Sequence, residues 1–146
     1  MVLRRTELSS PKEMHLKTLG IREHNPEKWE VEFHPEFLAE FTVLAESVRR
    51  QIYLMIELLR AFGPQLGRPH VDTLKGSVHA NMKEFRFHAG NGAWRVAFAF
   101  ATRRKALLLV AGDKSGVSKS AFYRSLIGIA DRRFDHHLRS LAKEKR

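Results

Sequence analysis

Met82-Lys83-Glu84-Phe85-Arg86-Phe87-His88-Ala89-Gly90-Asn91-Gly92-Ala93-Trp94-Arg95-Val96-Ala97-Phe98-Ala99-Phe100 decides how this chain folds. Residues 82–88 and 94–100 are strand-length runs rich in aromatic and apolar side chains. The Asn91-Gly92 pair between them is a hairpin signal, because the central residues of a primed turn need positive φ. Two antiparallel strands follow. On the C-terminal side, Arg103, Arg104 and Lys105 make a basic turn into Ala106–Val110, which is apolar throughout and suits a strand covered on both faces. The centre of the chain therefore reads as a three-stranded meander. Beyond it, Ser118 can cap a last helix on which Phe122, Leu126, Ile129, Ala130, Phe134, Leu138 and Leu141 form one apolar stripe. Arg124, Arg132, Arg133, Arg139 and Lys143 fall on its other faces.

On the N-terminal side, residues 63–81 are turn-rich and without period, so they read as a long irregular connection of the kind that is often functional. Before them, Pro35 suits a first helical position, and Phe37, Leu38, Phe41 and Leu44 recur at helical spacing. Val48, Ile52, Tyr53, Ile56 and Leu59 continue the period to the breaker pair Gly63-Pro64, giving two helices or one bent helix over residues 35–62. Trp29, Val31 and Phe33 alternate with Glu30 and Glu32 as a first strand. Residues 1–28 show no sustained period and read as a loosely ordered N-terminal extension, with the domain proper at 29–146. The order strand, helix, helix, three strands, helix makes a small α+β domain with helices packed on an antiparallel sheet.

Composition narrows the class. The 146 residues are 43% hydrophobic and 29% charged, enough for one domain with a real core and not for a disordered chain. There is no cysteine, which excludes disulfides and thiolate metal sites. No window approaches the ~18 uninterrupted apolar residues of a membrane span, and the N-terminus lacks the apolar run of a signal peptide, so a cytoplasmic protein without membrane partners is expected. The 26 Lys and Arg against 16 Asp and Glu leave +10. Residues 83–146 carry 15 of the basic and 5 of the acidic groups, which concentrates the excess there. A charge of this size and placement points to a polyanionic partner.

Two apparent motifs carry no chemistry. Gly112-Asp113-Lys114-Ser115-Gly116 lacks the spacing of a phosphate loop that ends in Gly-Lys-Ser/Thr. His136 and His137, adjacent on a helix, point about 100° apart, poor geometry for sharing one metal ion, and read as a solvated face. No metal or cofactor is expected. What remains is a set of side chains around the sheet: Lys83 and Arg86 on the second strand, Arg95 on the third and Lys114 just beyond the fourth. Strand alternation puts Lys83 and Arg86 on opposite faces, so at most one of them shares a face with Arg95 unless a bulge intervenes. Such cations hold an RNA phosphate and stabilise the charge that builds when a 2′-hydroxyl attacks it. His88 and Tyr123 are the candidate proton acceptor and donor. The competing reading of Arg86 and Arg95 is structural pairing with Glu84 or Asp113, and for Tyr123 an ordinary contact at the rim of the core.

Several stretches also match a known pattern. They are Phe62-Gly63-Pro64-Gln65-Leu66-Gly67-Arg68-Pro69-His70-Val71-Asp72-Thr73-Leu74-Lys75-Gly76-Ser77, Asn81-Met82-Lys83-Glu84-Phe85-Arg86, Trp94-Arg95-Val96-Ala97-Phe98 and Ala111-Gly112-Asp113-Lys114-Ser115-Gly116. Together they resemble the RelE/HigB toxins of bacterial type II toxin-antitoxin systems, in particular the phage-derived HigB-like group, over residues 29–141. The resemblance implies a toxin that enters the ribosomal A site and cuts messenger RNA there by 2′-hydroxyl attack, without a metal. It implies a cognate antitoxin as partner, and contact with operator DNA only through the antitoxin complex. Position by position, Arg95 looks like the family's phosphate-binding arginine and Arg86 like that of its Glu-Leu-Arg element, with Phe85 in place of leucine. Lys114 falls where the family has a basic residue after the last strand. Tyr123 looks like an aromatic residue used against the base or its 2′-hydroxyl, and Lys83 approximates a strand-two lysine. Two alternatives stay open on sequence: a ParE-like inhibitor of DNA gyrase, which shares this fold, and a catalytically inactive protein that binds only its antitoxin.

Overall fold

A computed structural model describes residues 28–144, and the elements run β1 (Glu30–Phe33), α1 (Pro35–Phe41), α2 (Glu46–Phe62), β2 (Val71–Thr73), β3 (Met82–Ala89), β4 (Gly92–Ala101), β5 (Lys105–Asp113) and α3 (Lys119–Glu144). Apart from Lys28, the extension expected at residues 1–28 lies outside the described residues. The strands form one five-stranded sheet in the order β1-β5-β4-β3-β2. The α+β class and the central meander agree with the sequence reading, and two details differ. β1 runs parallel to β5, pairing Val31 with Ala106 and Phe33 with Leu108, so the sheet is mixed and not purely antiparallel. The stretch expected to be irregular contains β2, which pairs antiparallel with Lys83–Phe85 of β3. Three residues are too few to show a period of two, which is why pattern alone passes over them.

The sheet buries both faces. Phe85, Phe87, Val96, Phe98, Ala106 and Leu108 pack with Phe37, Phe41, Ile52, Met55 and Leu59 of α1 and α2. Met82, Ala97, Ala99, Leu107 and Leu109 pack with Phe122, Leu126, Ala130 and Phe134 of α3. β5, apolar and buried from Ala106 to Val110, lies inside the sheet between these layers, as a strand covered on both faces must. A bulge between Ala97 and Phe98 leaves Leu109 as the extra residue, so Leu109 and Val110 both join the α3 layer.

Local chemistry explains the ends. His34 caps α1, its Nδ1 accepting from the Glu36 N–H at 3.1 Å, and Pro35 occupies the first turn. The helical span expected over 35–62 is two helices, broken at residues 42–45. α2 stops at Gly63, whose φ of +52° and contact with the Trp29 ring exclude a side chain. Ser118 caps α3, its hydroxyl accepting from the Ala121 N–H at 3.3 Å. The β3–β4 turn is centred one residue earlier than Asn91-Gly92: Ala89 pairs with Gly92, and Gly90 takes the positive φ of +58° at the first central position.

Two expectations for α3 change on packing. Arg133, placed by periodicity on an outer face, is 4% exposed and donates to both carboxylate oxygens of Glu40 and to the Leu109 carbonyl. Leu138, expected on the stripe, is 40% exposed, because the buried part of the helix ends at Phe134. His136 and His137 are not simply solvated either. His136 Nδ1 lies 3.2 Å from Nε2 of the buried His34, and His137 stacks on Phe134.

Candidate functional site

Register sets the site. Arg86 pairs directly with Arg95 across β3 and β4, and Arg95 in turn faces Gly112 of β5. With period two, Glu84 lies on the same face of β3 as Arg86. Tyr123, in the first turns of α3, reaches down onto this face because Gly112 lets the helix approach: a Cβ there would meet the Phe122 ring at 3.0 Å.

The side chains form one chain of contacts. Arg95 Nε donates to the Tyr123 hydroxyl at 3.3 Å, and that hydroxyl donates to Glu84 Oε1 at 3.2 Å. Arg86 Nε donates to the same Glu84 oxygen at 2.7 Å, and its Nη2 lies 3.4 Å from Asp72 Oδ2. Asp72 also takes Arg68 Nη2 at 2.9 Å. These groups line an open cleft of about 880 Å³ together with Thr73, Leu74, Lys75, Lys114, Lys119 and Ser120. Six cations therefore surround two carboxylates, Asp72 and Glu84, in the lining.

The two arginines differ in state. Arg86 is tied to Glu84, whose hydrogen bond raises its pKa further, so the pairing with Glu84 weighed for it on sequence is present. Arg95 is 8% exposed, and its partners are the Tyr123 hydroxyl and the Trp94 carbonyl; among the described residues it has no carboxylate partner. Asp113 is occupied elsewhere, accepting from the Ala93 and Ser115 N–H groups and so anchoring the turn that carries Lys114. Burial raises the Tyr123 pKa, with Glu84 acting in the same direction and Arg95 against it, so the phenol keeps its proton at neutral pH. Glu84 is 2% exposed and its Oε2 is buried without a hydrogen-bond partner. An orphaned carboxylate oxygen at a site floor costs stability and calls for a functional explanation.

Of the sequence candidates, Arg86, Arg95, Lys114 and Tyr123 come together in the cleft. Lys83 does not: its Nζ donates to the Thr73 hydroxyl at 3.0 Å, across the β2–β3 pair. His88 is exposed at the end of β3 and lines a different hollow. Sequence reasoning missed Arg68, Asp72, Lys75 and Lys119 as site residues and read Glu84 only as a structural partner. Arg68, Asp72 and Lys75 sit in the stretch taken for a connection, and the pairing of β2 with β3 brings Asp72 opposite Glu84. Among the described residues no group of three or more His, Asp or Glu is arranged to hold a metal ion, and no helix is long and apolar enough to cross a membrane.

Comparison with known proteins bears on this geometry. Residues 39–135 match the family described as phage derived protein Gp49-like (DUF891). A HigB3 toxin of Mycobacterium tuberculosis is 41% identical over a match covering 73% of this chain and 90% of its own. The chain belongs to the Gp49-like, HigB-type family. A HigB2 toxin of the same organism is 34% identical, and there the match covers 73% of this chain but only 63% of that longer relative. Among solved structures, a mutant of the E. coli toxin RelE in the free state aligns with a TM-score of 0.48 and 13% identity, covering 68% of this chain and 94% of that one. The archaeal RelE–RelB complex of Pyrococcus horikoshii aligns with a TM-score of 0.46 and 16% identity, over 62% and 99%. The family match begins within α1 and ends within α3, so it spans all of the Gp49-like chain's cleft residues.

Proposed function

We propose that this Gp49-like protein is the toxin of a toxin-antitoxin pair and an endoribonuclease that cuts messenger RNA in the ribosomal A site. The observation that carries the reading is Arg95, a nearly buried cation without a carboxylate partner, hydrogen-bonded to a phenol that in turn contacts a buried carboxylate. A cation held in this way has its charge available to an incoming anion, and a phosphate oxygen supplies what the site lacks. The 2′-oxygen attacks phosphorus while its proton passes to the Tyr123 oxygen, Tyr123 handing its own to Glu84. The P–O5′ bond breaks, leaving a 2′,3′-cyclic phosphate, and the 5′-oxygen departs with a proton from Lys114. Arg95 and Arg86 hold the charge that builds on the phosphoryl oxygens, the work a metal ion does elsewhere.

The same cationic cleft makes an acidic antitoxin segment the natural inhibitor, since it covers Arg86 and Arg95 by charge complementarity. The test is primer extension on an mRNA translated in vitro, with and without ribosomes, after addition of the purified chain. New 5′ ends at codon-phased positions, present only with ribosomes, are expected. Intact mRNA in both samples, with inhibition of gyrase supercoiling instead, would overturn the reading.

A further inference from the structure

The outer face of α3 carries charge that neither the core nor the cleft uses. At about 100° per residue, Arg124, Ser125, Gly128, Arg132, Arg139 and Lys143 fall within about 100° of the helix circumference, over a length of about 28 Å. All six are exposed, and among the described residues none of the four cations makes a hydrogen bond or ion pair. Asp131 and Asp135, at the edge of this stripe, are engaged elsewhere: Asp131 accepts from the Ser77 hydroxyl and the Val78 N–H, and Asp135 lies 2.8 Å from His79 Nε2. The stripe begins at the cleft, because Arg124 follows Tyr123, and Lys119 and Ser120 of the preceding turn also line the cleft. Gly128 is an independent observation. It sits in mid-helix with nothing within 4 Å of where a Cβ would stand, so no packing demands it. Glycine at an exposed helical position costs stability that most other residues would restore. Bare backbone between arginines lets a partner approach the helix more closely than any side chain would allow.

We propose that this stripe is a second RNA-binding surface, outside the cleft and continuous with it, which holds the sugar-phosphate backbone of an RNA duplex; for the identity of the polyanion it rests on the reading of the chain as an RNA-cutting toxin. Arginine suits phosphate through its paired donors. No large apolar side chain lies among the six positions, and an interface with another protein needs such anchors at its centre. No aromatic ring lies there either, so a single strand would find no platform on which to stack its bases. Duplex RNA is recognised by its shape and backbone, which unpaired cations along a rigid helix contact without reading sequence. Cations placed beside the cleft raise the local concentration of RNA and leave the chemical step to Arg95 and Tyr123.

Fluorescence anisotropy of an RNA duplex of about 16 base pairs, titrated with the full chain across a series of NaCl concentrations, tests this. The Arg132→Gln, Arg139→Gln double variant is expected to bind at least about tenfold more weakly at about 0.1 M salt. Its slope of log affinity against log salt is expected to fall by about two, roughly one for each cation removed. Gly128→Gln is the second variant. It is expected to raise the urea midpoint, since glutamine is the better helix former, and yet to weaken duplex binding several-fold. In ribosome-coupled primer extension the double variant is expected to need more protein for the same cutting, at unchanged positions and maximal rate. A wild-type chain that does not bind the duplex, or a double variant with unchanged affinity and salt slope, overturns the surface and leaves the cleft reading standing. Loss of binding to a poly-glutamate peptide in the double variant, with duplex binding unchanged, overturns it in favour of an acidic protein partner. Duplex binding that falls as expected, with mRNA left intact by the wild-type chain, overturns the cleft reading and supports the surface.

Discussion

Arg86 and Arg95 are direct neighbours across two strands, yet they answer to different physics. Arg95 is not neutralised by a carboxylate among the described residues, so deleting it strands no charge: Tyr123 keeps its bond to Glu84. Arg95→Ala is therefore expected to fold with nearly unchanged thermal stability and to lose about a hundredfold or more in cleavage rate, the usual cost of removing one charge-stabilising donor. Parallel thermal melts and primer-extension rates check both halves of that statement. Arg86→Ala behaves differently, because Glu84 Oε1 loses its 2.7 Å donor while Oε2 already has none. It is expected to cost about 2 kcal/mol of stability as well as activity, read from urea unfolding, because the buried carboxylate loses its charged donor and keeps only the Tyr123 hydroxyl. A variant set in which Arg95→Ala unfolds and Arg86→Ala does not would reverse the two assignments.

At the scale of elements, an ion pair with a buried guanidinium ties α3 to α1. Arg133 sits under the helix at 4% exposure and grips Glu40 at 2.6 and 2.8 Å. Glu40→Ala leaves that guanidinium buried with the Leu109 carbonyl and a 3.7 Å approach of Glu36 as compensation. The expected loss is about 2 kcal/mol in chemical denaturation, less than for a wholly buried pair because Glu40 is half exposed. The β4–β5 turn offers the opposite case. Arg103 and Arg104 both hold left-handed backbone, φ 62° and 58°, where a Cβ is strained. Arg104 is compensated by lying over the Trp29 ring at 5.2 Å. Arg103→Gly is expected to raise stability by about 0.5 kcal/mol, strain relief exceeding the added chain entropy of glycine, and a rise in the urea midpoint checks it.

Over the whole molecule, histidine burial couples stability to pH. Burial lowers the pKa of His34, with Arg133, His136 and His137 acting in the same direction and Glu36 against it; burial also lowers that of His137. A histidine whose folded pKa is depressed binds fewer protons than the unfolded chain in the window below the ordinary value of 6.5. Its contribution is thus complete above about pH 6.5 and is lost as pH falls below that value. The carboxylates of Glu40, Asp72 and Asp113 have pKa values lowered by hydrogen bonds, and their contribution disappears only at more acid pH, below about 4. Unfolding measured from pH 8 to pH 3 is expected to show two separate declines, and His34→Asn to flatten the one near pH 6.

The α+β order, the central hairpin, the doubly covered strand β5 and the amphipathic α3 were legible in the sequence, because periods of two and 3.6 are written locally by apolar side chains meeting a core. Arg86, Arg95, Lys114 and Tyr123 were legible as candidates because cations near strand ends and an aromatic beside an apolar stripe stand out in the pattern. The partnership of Glu84 was not, since its burial and its orphaned oxygen arise when Tyr123 arrives from 39 residues away. Nor was Arg133, which periodicity assigns to solvent and whose burial depends on Glu40, 93 residues upstream. The sequence by itself determined which faces are apolar and how much charge the chain carries. Tertiary structure alone decided which charges meet, because strand register and helix docking, not chain neighbours, set those distances.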